Sequence, residues 1–375
     1  MIEIDTVLIK VASRCNINCK YCYVYNMGDN GWTDMPNHIS GETALAIGNS
    51  LSELSRIQNR PFAVVLHGGE PLLLGPRKLE QVLSTLRAAA PPDCSFGLQT
   101  NGILITEEIL DICFKHRTTI SVSIDGPRDI HDRWRVTHSG EGTYEQVLEG
   151  IDKLRRHQES AFLYSGMLAV IDPKSNPKAV YEFCKTLEPP SVDFLYRDGN
   201  YMRLPEGKHS LRSTEYGEWL AGLLDVYLFD EKPLPIRFLD DIIRLLLGGK
   251  ATKDGVGLND FGILVIDTDG SVTKNDTLKS SFNGADRFSR KQTVHSDSLS
   301  DILSSEEFAK AHVLQRPTSN TCLSCSELKV CGGGMALNRW RDTNGYDNPS
   351  IYCSDQLLLI QHTRTQITNI QSKCI

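Results

Sequence analysis

Six short runs of apolar and β-branched residues, separated by five segments of helical period, fill the first two hundred positions. The runs are Thr6–Val11, Phe62–His67, Ser95–Gln99, Thr119–Ile124, Phe162–Val170 and Val192–Tyr196. The segments Gly41–Gln58, Pro76–Ala90, Thr106–His116, Thr143–Gln158 and Pro177–Leu187 carry their apolar residues on one helical face. A strand that must pass through a helix before the next strand pairs with it in parallel, by a right-handed crossover. Repetition of that unit curls the sheet, so the expected fold is α/β, a partial (β/α)6 barrel of TIM type. Its chemistry belongs on the loops at the carboxyl ends of the strands.

The pattern changes after about Pro205. Longer helical segments follow, Thr214–Leu228 and Ile236–Leu247, then a hairpin-like stretch from Phe261 to Thr273 with an Asp269-Gly270 turn. From about Thr318 the chain is rich in Cys and Gly with little periodicity, as in a small metal-stapled module. The expected division is a barrel over 1–205, a helical and hairpin bridge over 206–315 and the module over 316–375. With 40 Lys and Arg against 47 Asp and Glu the chain lacks the basic excess of a nucleic-acid binder. No apolar run approaches the roughly 18 residues of a membrane span. The start, Met1-Ile-Glu-Ile-Asp, has no basic and apolar export signal, so a cytoplasmic location is expected.

Eleven cysteines then require an explanation, because an odd number without an export signal makes a poor disulfide framework. Cys15, Cys19 and Cys22 form one group; Cys322, Cys325, Cys331 and Cys353 form another. Cys94, Cys113, Cys184 and Cys374 are scattered and expected to behave as small apolar residues. The CxxxCxxC spacing of the first group falls directly after the first strand. Four cysteines close a [4Fe–4S] cluster, whereas three leave one iron open to a ligand. A zinc site completed by a distant residue is the alternative, though CxxxCxxC is not a usual zinc spacing.

CxxxCxxC followed by Tyr23 resembles the radical S-adenosylmethionine (SAM) enzymes. The resemblance implies that the open iron chelates SAM, whose reductive cleavage yields a 5′-deoxyadenosyl radical that takes hydrogen from substrate. Matching elements stand at the next strand ends: Gly68-Gly69-Glu70-Pro71, Gln99-Thr-Asn101-Gly102, Ser121-Val-Ser123-Ile-Asp125-Gly126 and, beyond, Arg135. By this resemblance Tyr21, Tyr23, Gly68, Gly69, Glu70, Asn101, Ser123, Asp125 and Arg135 are candidate cofactor contacts, with Glu70 near the methionine ammonium of SAM.

The second cysteine group resembles the SPASM domain of peptide-modifying radical SAM enzymes. Cys322, Cys325, Cys331 and Cys353 match the ligands of one auxiliary [4Fe–4S] cluster. Met335 stands where the family has a further cysteine, and no Cys lies between Cys184 and Cys322, so one auxiliary cluster is expected. CxxC spacing suits zinc equally well when read without the resemblance. In related sulfatase-maturing enzymes an Asp after an inner-cluster Cys is the general base; here Asn275 takes the Cys position and Asp276 remains.

The combined pattern is most similar to maturases that build three-residue cyclophanes in ribosomal peptides. That resemblance implies a precursor-peptide substrate and an external reductant of flavodoxin or ferredoxin type. Thioether formation and formylglycine formation are the enzymatic alternatives, and a non-catalytic iron–sulfur or zinc scaffold that binds peptide is the other class. With the first strand so near Met1, leader binding is expected at the barrel mouth, at residues 205–255 or on a separate partner. Tyr196, Tyr201 and Trp340 are candidate channel residues.

Overall fold

Strand β1 (Thr6–Ala12) sets the pattern for the sheet. Its Val7, Ile9 and Val11 are fully buried on one face, each contributing about 1.5–3 kcal/mol of hydrophobic stabilisation. Strands β2 (Ala63–Gly68), β3 (Ser95–Thr100) and β4 (Thr118–Ser123) repeat this with Val64 and Leu66, Phe96 and Leu98, Ile120 and Val122. The intervening helices Gly41–Gln58, Gly75–Ala89 and Glu107–Lys115 begin and end close to where periodicity places them. Ser40 and Thr106 cap two of these helices, accepting from the backbone N–H three residues on.

The computed structural model describes residues 2–373, so Cys374 lies outside the described residues. The chain packs as two units. The first contains the chain up to Ile124, His131–Met167 and Phe261–His312. It also holds most of β5 (Tyr164–Val170), with β7 (Ile263–Ile266), β8 (Ser271–Thr273) and β9 (Gln292–Thr293). Its strand order is β5-β4-β3-β2-β1-β7-β8-β9. β1 through β4 pair in parallel, and β7 joins β1 in parallel on its other side. The stretch read as a free hairpin therefore extends the main sheet, with β8 and β9 antiparallel beyond it. Phe162 and Leu163 belong to a helical turn, Ser160–Leu163, and not to the fifth strand.

The second unit contains Asp125–Ile130, Leu168–Asp260 and the chain from Val313 onward. Here β6 (Val192–Leu195) follows the end of β5, Ile171 N–H donating to Leu195 at 3.0 Å. The aperiodic C-terminal module expected from the sequence ends in a long helix, Cys353–Lys373. It packs on the helix Glu215–Leu228. A Cβ on Gly217 would come within 2.6 Å of the Asp355 carbonyl oxygen, so glycine permits the crossing. The Asp355 carboxylate accepts from Gly217 N–H at 2.8 Å and Lys208 Nζ at 2.6 Å. Cys94, Cys113 and Cys184 are buried, consistent with small core residues. Among the described residues no helix is long and apolar enough to cross a membrane.

Candidate active site

The face of the sheet opposite the buried aliphatic residues carries polar side chains at its carboxyl end. Lys10 on β1 is in register with His67 on β2, and Gln99 on β3 with Ser121 on β4. Asp267 follows β7, one residue beyond the register pair Ile9–Ile266. Alternation of side chains along a strand puts these residues on one layer. The motif pattern missed Lys10, His67 and Asp267; a charge inside an apolar strand was the available signal for Lys10.

The Gly68-Gly69-Glu70 element binds the cysteine loop to the sheet. Gly69 N–H donates to Ala12 at 2.8 Å and Glu70 N–H to Arg14 at 2.9 Å. A Cβ on Gly69 would lie 2.1 Å from both the Arg14 carbonyl oxygen and the Tyr25 hydroxyl. The glycine pair therefore lets β2 approach the residue before Cys15. The Glu70 carboxylate is 1% exposed and joins β2 to β3. It accepts from Thr100 Oγ1 at 2.7 Å, Asn101 N–H at 2.8 Å and Leu72 N–H at 3.0 Å. Burial pushes its pKa up against these three bonds. Asn101 Nδ2 donates to Asn16 at 2.8 Å and reaches Cys15 Sγ at 3.8 Å. Arg135 donates to the Tyr21 hydroxyl at 3.0 Å and acts electrostatically on Glu70 and Cys22. Ser123 accepts from Gln99 at 2.8 Å, and Asp125, in the second unit, accepts from Val170 N–H at 3.1 Å.

Asp276 begins a short 3-10 turn after β8 and is 4% exposed. Lys10 Nζ donates to its Oδ1 at 2.5 Å, Lys279 Nζ to the same oxygen at 2.7 Å, and the Tyr23 hydroxyl to Oδ2 at 2.6 Å. Burial would raise its pKa, but the two ammonium groups outweigh burial and hold it well below the usual carboxylate range. Lys10 also pairs with Asp267 at 3.3 Å, and Lys279 with Asp286. Burial lowers the His67 pKa, with Asp276 acting against it and Lys10 in the same direction. Tyr23, a candidate cofactor contact, is thus placed on Asp276.

In the second unit the four cysteines Cys322, Cys325, Cys331 and Cys353 act electrostatically on one another. All four are free of disulfides, as are Cys15, Cys19 and Cys22 in the first unit. Burial pushes the Cys331 thiol up to about 12, and Sγ donates to Gln356 at 2.9 Å. Met335 Sδ lies 2.8 Å from where a Cβ on Gly255 would stand, so the thioether packs on this loop. Tyr196 stacks with Tyr352 at a centroid distance of 4.3 Å, and the Tyr201 hydroxyl donates to Pro349 at 2.9 Å. Trp340 packs against Tyr346. Among the described residues no three His, Cys, Asp or Glu side chains are grouped as ligands of a single metal ion. Each cysteine of a cubane binds a different iron, which is another spacing.

Residues 9–187 match the model of the radical SAM superfamily. This segment is similar to a radical SAM domain. Over 97% of its length the chain is 23% identical to a cysteine-type anaerobic sulfatase-maturating enzyme of Clostridium perfringens, 98% of which is covered. The solved structure of native anSMEcpe with bound AdoMet and Cp18Cys peptide superposes with a TM-score of 0.81 at 19% identity, covering 99% of each chain. Streptococcus suis SuiB bound to the precursor peptide SuiA gives 0.63 at 15% identity, covering 93% of this chain and 75% of that one. These likenesses establish the fold, an α/β partial barrel with a C-terminal domain.

The residues present fit the cofactors of a radical SAM domain. Cys15, Cys19 and Cys22 are part-exposed, free of disulfides and close enough to act electrostatically on one another, as a three-cysteine cluster site requires. Burial raises the Cys15 and Cys22 thiols to about 12 and 11, so a cationic iron centre is what makes them thiolates. When bound, the cluster and SAM supply a 5′-deoxyadenosyl radical able to take hydrogen from carbon. Arg135 is a cation beside this loop, and the hydrogen bonds of Glu70 and Asn101 tie the loop to β3.

Proposed function

We propose that this chain modifies a ribosomally made precursor peptide, removing a β-hydrogen and bonding that carbon to an aromatic ring two residues away. The observation that carries the reading is the state of Asp276. Two lysines and a tyrosine hold it as a carboxylate of depressed basicity, at the carboxyl end of β1, β2 and β7. A carboxylate placed within reach can accept a strongly acidic proton. A ring carbon that has gained a bond and lost an electron carries such a proton, because its loss restores aromaticity.

Cys322, Cys325, Cys331 and Cys353 would hold one auxiliary [4Fe–4S] cluster. That cluster would accept the electron the ring gives up, and an external flavodoxin- or ferredoxin-type protein would supply the electron that cleaves SAM. Asn275 and Met335, standing where related enzymes carry cysteines, support a single auxiliary cluster. Glu70, Asn101, Ser123 and Arg135 would orient SAM, and Tyr23 would orient Asp276.

Formylglycine formation is the second reading, carried by the whole-length similarity to sulfatase-maturating enzymes. The experiment that separates the two incubates the reconstituted, reduced protein with SAM and synthetic peptides in which a Ser or Cys stands two positions after an aromatic residue. The cyclophane reading expects 5′-deoxyadenosine and a product inert to a hydroxylamine probe. A product that forms an oxime overturns it in favour of formylglycine.

A further inference from the structure

A cavity of about 240 Å³ opens beside the Asp276 network within the first unit. Lys10 and Lys279, which hold Asp276, belong to its lining, as do Trp32, Met35, Thr273, Asp286 and Phe288. Three lining residues carry a buried polar atom with no hydrogen-bond partner: Trp32 Nε1, Thr273 Oγ1 and Asp286 Oδ1. Thr273 is 6% and Asp286 1% exposed, so bulk water does not compensate these atoms. Buried polar groups in a native fold are nearly always paired, and three orphans on one cavity indicate a missing guest.

The orphans define that guest. Trp32 Nε1–H can only donate, Asp286 Oδ1 can only accept, and the Thr273 hydroxyl can do either. The cavity's charges are mutually compensated: Lys10 with Asp267 and Asp276, Lys279 with Asp276 and Asp286, Arg287 with Asp29 and Lys291 with Asp269. Asp34 in the lining is exposed to solvent. A charged guest would lack a counter-charge, whereas a neutral group with one acceptor and one donor satisfies all three orphans.

We propose that the cavity receives an amide group of the peptide substrate, next to the residue that reacts at Asp276. The amide belongs either to an Asn or Gln side chain, whose methylenes would rest on Met35 and Phe288, or to the main chain. Trp32 and Thr273 donate to its oxygen, and Asp286 accepts from its N–H. The inference rests on the peptide reading above.

The full reconstituted chain, labelled with 5-fluorotryptophan, provides the test by fluorine NMR. It has four tryptophans, and Trp32→Phe assigns the resonance of interest. N-acetyl-asparagine N-methylamide, N-acetyl-alanine N-methylamide and the amide-free ester methyl propionate are titrated in turn. A Trp32 shift with the asparagine probe alone assigns the side-chain amide; equal shifts with both amides assign the main chain. No shift with either amide, or an equal shift with the ester, overturns the proposal. Thr273→Val should weaken amide binding about tenfold without changing the thermal midpoint. Should that variant not fold, Trp32→Phe, followed by calorimetry, should show the same weakening; unchanged affinity in the folded variant overturns the proposal. The readout needs no turnover. A chain that cleaves SAM and binds no amide defeats this inference alone, and one that binds amide without cleaving SAM defeats the functional reading.

Discussion

Lys10 and Asp276 are 266 positions apart in sequence and 2.5 Å apart in space. The contact joins the first strand of the sheet to the turn after β8, and with Lys279 it holds the Asp276 carboxyl well below the usual carboxylate range. Lys10, Lys279 and Tyr23 together hold its two oxygens in place.

Asp276→Asn keeps the shape and removes the basic oxygen. SAM cleavage should persist, while modified peptide falls about 10²–10⁴-fold, the usual share of a positioned proton acceptor. Folding should survive, because Lys10 keeps Asp267 and Lys279 keeps Asp286. Chromatography of 5′-deoxyadenosine alongside peptide mass spectrometry checks this; equal product from the variant removes Asp276 from the chemistry.

Lys10→Met should change how stability depends on pH. A depressed carboxyl pKa stabilises the fold above the unfolded pKa, about 3.9, and that stabilisation is lost as pH falls through the folded pKa. In the wild type the Asp276 contribution is therefore complete at neutral pH and fades only in strong acid. Without Lys10 the folded pKa moves back toward the ordinary value, so the loss begins at higher pH. Thermal midpoints of the two proteins between about pH 3 and 7 should diverge most at the acid end.

Gly69→Ala should displace the cysteine loop. The added Cβ meets two oxygens at 2.1 Å, one of them backbone, and overpacking of this kind costs about 1–3 kcal/mol. The expected result is lower iron content and lost SAM cleavage with the far-ultraviolet circular dichroism retained.

The two cysteine groups should separate by iron analysis. Two filled clusters give about eight irons per chain, and Cys331→Ala should leave about four. Alanine at Cys15, Cys19 or Cys22 should also leave about four and abolish SAM cleavage. Zinc at the C-terminal site would refute the auxiliary cluster.

The alternation of strands and helices was legible because β1 to β4 bury one aliphatic face each, and period alone finds such elements. The role of β7 was not legible. Its four residues, Ile263–Ile266, read as one arm of a local hairpin, and only register with β1 reveals the parallel pairing. The helix Cys353–Lys373 escaped because its Thr- and Gln-rich sequence shows little amphipathic period; Leu359 and Ile360 anchor it in the core. At the site, Cys15 announces itself by spacing, and Glu70 and Asn101 by the resemblance of their motifs to those of the family. Lys10, His67 and Asp267 do not, since each is an isolated residue whose meaning comes from a neighbouring strand.

The most direct measurement of the central claim uses a peptide substrate whose aromatic ring is fully deuterated. Bonding a β-carbon to that ring expels one ring deuteron with one β-hydrogen, so the product should be lighter by one deuterium and one hydrogen, with fragmentation suppressed between the joined residues. A product that keeps every ring deuteron contradicts the account, because thioether and formylglycine chemistry both leave the ring untouched.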